Sequence, residues 1–261
     1  MKAVEKDSLK ELLEQAYLRY HGKDFIDDDP ISVPHLYSFR QDIEIAGFFS
    51  ALISWGNRKS IIKSASLIMQ LMDNKPYDFV KNHREKDRRI FEKFVHRTFQ
   101  YIDTICILDF LQKHYRTYDS LEHAFLRNGE YYSSVKDSLI YFHHYVFGLN
   151  EYPLRTRKHI ATPAKGSTCK RLNMFLRWMV RKDESGVDFG LWQHIPTKDL
   201  MIPLDVHVEK VCRRIGILQR KQRDWKAVEE ITHCLRMLDP MDPVRYDYAL
   251  FGMGVIEKFR H

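Results

Sequence analysis

Lys170 and Asp205 are the two residues of this chain whose type and position offer covalent or acid–base chemistry. Each stands at the start of a segment with helical periodicity. In GSTCKRLNMFLRWMVR, the residues Leu172, Phe175, Leu176, Met179 and Val180 recur at the spacing of one apolar helix face, which puts Lys170 in the first turn. A cation at the positive end of a helix dipole is locally unfavourable, by ~0.3–1 kcal/mol at an exposed site. A fold that keeps it there either offers it a phosphate or holds it as a neutral amine, which is a nucleophile. A solvated lysine beside Arg171 is the plainer alternative. In IPLDVHVEKVCRRIG, Pro203 suits a chain entering a helix, Asp205 suits the N-cap, Val208, Val211, Cys212 and Ile215 form the buried stripe, and Gly216 is the stop. As a plain cap Asp205 does nothing further. Paired with an amine, the same carboxylate can steady positive charge that develops on a substrate.

Together the two segments resemble the core of the helix-hairpin-helix DNA glycosylases, in which a hairpin LPGVGxK precedes one helix and a VDxHV segment precedes the next. Aligned without gaps, KGSTCKRLNMFL puts Gly166 on the first hairpin glycine and Lys170 on the lysine that attacks the sugar in bifunctional members. PLDVHVEKV puts Asp205 on the aspartate that every active branch uses, with His207 on the following histidine. Thr168 stands where the second hairpin glycine would be. The connector to Asp205 is longer than in the endonuclease III branch, whose four-cysteine cluster has no counterpart here. The resemblance is therefore nearest the archaeal 8-oxoguanine glycosylases, or a bacterial family alongside them. It implies an all-α, two-lobed glycosylase-like fold of roughly ten or more helices, with a degenerate helix-hairpin-helix and no iron–sulfur cluster. The whole chain, 1–261, would be one unit of two interleaved lobes, about 41–150 in one and 1–40 plus 151–261 in the other. Lys170, Asp205, Trp55 and Trp192 would line the cleft between them.

The elements that must position these residues read as helices almost throughout. Residues 8–21 carry a helical stripe that stops at Gly22, and 24–37, with its aspartates and two prolines, reads as a loop. Residues 41–55 are the most apolar helix, followed by another at 60–72. The turn between them offers Trp55, Asn57, Arg58 and Lys59: a flat ring, an amide and two phosphate-seeking cations. By the resemblance, this turn supplies the residue pushed into a duplex where a damaged nucleotide has left, and Asn57 falls near that place. Residues 76–89 are basic and irregular, and 94–126 and 131–148 give further helices dense in aromatic residues, with no strand expected. The stretch 155–167 is a basic loop leading into the Lys170 helix. With Arg155, Arg157, Lys158, Lys165, Gly166 and Ser167, and with Arg171 beyond it, it is the expected phosphate-tracking surface. Trp192 and Gln193 sit in a polar connector. A helix at 224–238 and a final helix complete the chain, and the resemblance makes Trp192, Gln193, His207, Tyr248 and Phe251 candidates for the wall of a base pocket.

With 261 residues, 44% of them hydrophobic, the chain can bury a full core without metal or disulfide. A formal charge of +7 favours a polyanionic partner. Four dispersed cysteines read as reduced thiols, and neither a signal peptide nor an apolar run of the ~18 residues that a membrane span needs is present. A cytoplasmic monomer without metal or cofactor is expected, acting on double-stranded DNA with a damaged base. The expected activity is base-excision glycosylase with AP lyase action through a lysine Schiff base, on oxidised purines such as 8-oxoguanine. Two other readings fit the same residues: a non-catalytic nucleic-acid-binding protein of the same fold, and a helical partner-binding protein.

Overall fold

Helical periodicity becomes helix almost everywhere. The computed structural model describes residues 3–149 and 152–255. Its α-helices are, in order, α1 (Ala3–Tyr20), α2 (Asp24–Asp27), α3 (Arg40–Leu52), α4 (Arg58–Leu71), α5 (Pro76–Asn82), α6 (Tyr101–Thr117), α7 (Val135–Gly148), α8 (Lys170–Val180), α9 (Val206–Arg214), α10 (Trp225–Leu238) and α11 (Asp247–Val255). Short 3-10 turns fill many of the connections, including Pro30–Ser32 and Pro34–Leu36 in the stretch expected to be a loop. There each proline opens a turn, where its missing N–H costs nothing, and buried Asp29 caps the first by accepting from the Ile31 N–H at 3.1 Å. Among the described residues no helix is long and apolar enough to cross a membrane.

One expectation fails. A two-stranded antiparallel hairpin, β1 (Val95–His96) and β2 (Phe99–Gln100), pairs Val95 with Gln100 and His96 with Phe99. Arg97 turns it with φ 54°, burying His96 and Phe99 and exposing Val95 and Gln100. Two residues per strand are too few for the alternation to be read against the helical period of their neighbours.

The chain divides into two compact units, Ile26–Ala161 and the combination of Met1–Phe25 with Thr162–His261. The boundaries thus fall near 26 and 161, where about 41 and 150 were expected. In the unit 26–161, α3 carries a fully buried carboxylate. Glu44 accepts from Tyr115 Oη at 2.8 Å, Ser120 Oγ at 2.6 Å, the Leu121 N–H at 2.9 Å and Arg40 Nε at 3.2 Å. This tie fixes α3 to the end of α6 and the turn after it, and such burial is tolerable only because the oxygens are saturated.

In the other unit α8 is buried on every side from Leu172 to Val180, including Asn173, Arg177 and Trp178. A single apolar face was expected; the charged Arg177 is accommodated because carboxylates meet it. Helix α11 packs against both α1 and α9. The approach is close enough to need glycine: a Cβ on Gly252 would lie 2.2 Å from Cγ of Tyr20, and one on Gly254 would lie 3.1 Å from the Cβ of His207. Asp247, the first residue of α11, meets Arg177 of α8 with its carboxylate, within electrostatic reach of Lys170 and Asp205.

Candidate active site

Lys170 is the first residue of α8, half-buried, and no side chain caps that helix. The turn before it is built by local conformation. Gly166 adopts φ 73° to close the 3-10 turn Pro163–Lys165, donates its N–H to Pro163 O at 2.8 Å, and accepts the Trp225 N–H on its carbonyl at 3.1 Å. The second left-handed residue is Cys169, with φ 49°, and not Thr168. This is why a threonine is tolerated in place of a glycine there: a β-branched side chain resists positive φ, and the turn does not ask it of residue 168. Ser167 Oγ accepts the Cys169 N–H at 3.2 Å, and Asn173 Nδ2 donates to Thr168 O at 3.1 Å. Burial pushes the Cys169 thiol up to about 12, so it stays protonated and is no nucleophile.

Asp205 is the N-cap of α9, accepting the N–H groups of His207 at 2.8 Å and Val208 at 3.0 Å, both on Oδ1. Among the described residues Oδ2 makes no hydrogen bond, and Lys170 Nζ has no ion-pair partner. What connects the pair is Asp247. Its carboxylate is buried, accepts from Arg177 Nη1 on Oδ2, and lies within electrostatic reach of both Lys170 and Asp205. Burial pushes the Asp247 carboxyl up to about 6. Arg177 and Lys170 pull it down, while Asp205 and Asp188 add to the rise. The ion pair with Arg177 would by itself favour the charged form, but Arg177 is shared with Asp188 Oδ1 at 3.3 Å and burial outweighs it.

Asp247 and Arg177 are the residues that sequence reasoning passed over. Arg177 left a signal, a charge inside an otherwise apolar run, whereas Asp247 reads only as a residue ahead of an apolar helix. They belong to a larger buried network: Arg181 Nη1 meets Asp183 Oδ2 and Asp188 Oδ2, each at 3.0 Å, Arg181 Nε meets Asp242 Oδ2 at 2.8 Å, and Arg181 Nη2 donates to Tyr17 Oη at 3.1 Å. These pairs hold the C-terminal half of α8 to α1 and to the start of α11.

The remaining candidates divide between the two units. In this one, Trp192 is buried edge-on to Phe175 at 5.3 Å, and Tyr248 is a core ring under the Arg177 guanidinium at 4.3 Å. Phe251 is half-buried, Lys165, Gln193 and His207 are exposed, and Ser167 and Arg171 are half-buried. In the unit 26–161, Trp55 is half-buried and stacks on His159 at 5.6 Å. Asn57 is exposed and caps α4 by accepting the Ser60 N–H at 3.3 Å, with Arg58 half-buried and Lys59 exposed after it. Arg155 spends its guanidinium within the unit, on Gln100 Oε1 at 2.6 Å, Thr98 O at 3.0 Å and Asp103 Oδ2 at 3.2 Å. Arg157 and Lys158 stay exposed. Trp55 and the 155–159 turn are thus brought together, and Lys170 and Asp205 each act electrostatically on Asp247. Among the described residues no group of three or more His, Cys, Asp or Glu side chains is placed to hold a metal ion.

The family model described as "Protein of unknown function (DUF2400)" matches residues 29–256, and the chain belongs to that family. No curated protein and no solved structure matches it.

Proposed function

We propose that this member of the DUF2400 family is a DNA base-excision glycosylase with AP lyase activity, acting in the cytoplasm as a monomer on duplex DNA that carries an oxidised purine such as 8-oxoguanine. The observation that carries this reading is the convergence of Lys170, at the start of α8, and Asp205, at the cap of α9, on the buried Asp247. An amine and a carboxylate at adjoining helix starts match the chemistry expected from the resemblance of these two segments to helix-hairpin-helix glycosylases. The damaged nucleotide is turned out of the stack at a cost of a few kcal/mol, which backbone contacts offset. The Lys170 nitrogen then bonds to C1′ as the bond from C1′ to the base breaks, the bonding pair leaving with the base, which takes up a proton. Asp205 stabilises the cationic charge that develops at C1′ through Oδ2. Opening of the sugar ring gives an iminium. Loss of a C2′ proton and expulsion of the 3′-phosphate oxygen from C3′ cut the strand.

Borohydride reduces such an iminium to a stable amine and so fixes the protein to its DNA. On a panel of lesion duplexes, trapping by the natural protein is expected for an oxidised purine, and Lys170→Gln abolishes both trapping and nicking while keeping most of the affinity. If Lys170→Gln loses nicking alone and still excises the base, the attacker is water and Lys170 is a phosphate contact. The two cap bonds on Asp205 favour one second reading, a non-catalytic nucleic-acid-binding protein in which Asp205 only ends a helix. It predicts duplex binding with no trapping on any lesion.

A further inference from the structure

From the loop after α9 into the first turn of α10, residues 219–226 read QRKQRDWK, four cations against one acid. A run of this kind usually frays into solvent; here it is braced. Glu230 accepts the backbone N–H groups of Gln219 at 2.6 Å and Arg220 at 3.3 Å. Arg220 forks onto Asp224 at 2.7 and 2.5 Å, Arg213 Nη2 donates to Lys221 O at 3.0 Å, and Arg223 Nη1 pairs with Glu209 at 2.9 Å. Asp224 also caps α10, accepting the Ala227 N–H at 3.2 Å. Three acids, Glu209, Asp224 and Glu230, are therefore spent on shaping the loop, and two of its cations, Arg220 and Arg223, are neutralised in doing so.

The other two are not. Lys221 and Lys226 are exposed and have no ion-pair partner among the described residues. Both line an open groove with Gln219, Arg220, Gln222 and Glu230. The loop is also tied to the turn before Lys170, because the Trp225 N–H donates to Gly166 O at 3.1 Å. Lys226 follows one end of that bond and Lys165 precedes the other. Lys165 is likewise exposed and without an ion-pair partner among the described residues. A backbone hydrogen bond thus ties together the two segments that carry these three lysines, none of which has an ion-pair partner among the described residues.

We propose that the 219–226 loop and the Lys165–Gly166 turn form one binding surface for the phosphate backbone of duplex DNA, with Lys165, Lys221 and Lys226 as its phosphate contacts. This rests on the reading of the protein as a DNA enzyme and adds to it a grip remote in sequence from Lys170 and Asp205. A braced loop fits a regular polyanion better than a flexible tail does, because the lysines lose less freedom on binding. Phosphate contacts release counterions, so each lysine removed should make the slope of log K against log[salt] shallower by about one.

The experiment is fluorescence anisotropy of an undamaged duplex across a salt series, with the natural protein, Lys221→Ala/Lys226→Ala, and Lys10→Ala as a control for net charge on an exposed position of α1. The double variant should bind more weakly, with a slope shallower by about two, while Lys10→Ala keeps the natural slope. A double variant with the natural slope overturns this surface and leaves the DNA reading standing. If the natural protein shows no salt-dependent duplex binding, the surface and the DNA reading fall together.

Discussion

Replacing Asp247 by Asn gives a sharp test of the electrostatics around the candidate site. The carboxyl is 5% exposed and raised from 3.8 to about 6. The groups acting on it are Arg177 and Lys170 from α8, Asp205 from the cap of α9, and Asp188 from the connector, with the buried Cys212 of α9 also within its reach. Because the folded value lies above the unfolded one, the folded state holds its proton more tightly. The associated stability is present in full below the unfolded value and is lost as pH rises through about 6. The rise from 3.8 to about 6 corresponds to ~3 kcal/mol, of which about 2 kcal/mol is lost between pH 4.5 and pH 7.5. Asn keeps the shape and has no proton to lose. The stability of Asp247→Asn relative to the natural protein should therefore improve by about 2 kcal/mol from pH 4.5 to pH 7.5, whatever the constant cost of losing the Arg177 pair. Urea unfolding of both proteins at the two pH values measures this. Taking the difference removes carboxylates such as Asp183, which is held below its ordinary range and weakens the fold at low pH in both proteins. A difference that stays flat, or that runs the other way, would refute the account of Asp247 as a carboxyl kept high by burial.

Asp205→Asn should lower base excision by ~10²–10³, the usual loss for one preorganised electrostatic group, while the melting temperature hardly moves because Asn is an equally good cap; equal losses of activity and stability would make Asp205 a cap alone. Its effect should not multiply with that of Lys170→Gln in the double variant, since both residues serve one chemical step. Gly252→Ala drives a methyl group into the Tyr20 ring, where the nearest carbon would be 2.2 Å away, and should cost ~1–3 kcal/mol or more. Thermal unfolding reads it, and an unchanged melting temperature would mean that α11 does not need this approach to α1.

Local signals alone determine α8, α9 and α10. The apolar stripe of each is readable in the sequence, Asp205 and Asp224 are cap residues standing where caps must stand, and Gly216, with φ 79°, ends α9 as a glycine should. Lys170 and Asp205 could therefore be put at helix starts before any coordinates, because helix geometry is set by residues within four positions of one another. What lay beyond local reading depends on partners far away in the chain. Whether Arg177 points to solvent or into the core is decided by Asp188 and Asp247, and the fate of Glu44 is decided by Tyr115 and Ser120. The hairpin at 95–100 escaped because two-residue strands carry too little period, and the bond from Trp225 to Gly166 escaped because a backbone hydrogen bond leaves no mark on residue type. The helices follow from spacing. The second carboxyl of the site, Asp247, follows from burial, a property of the packed fold that no local window of the chain contains.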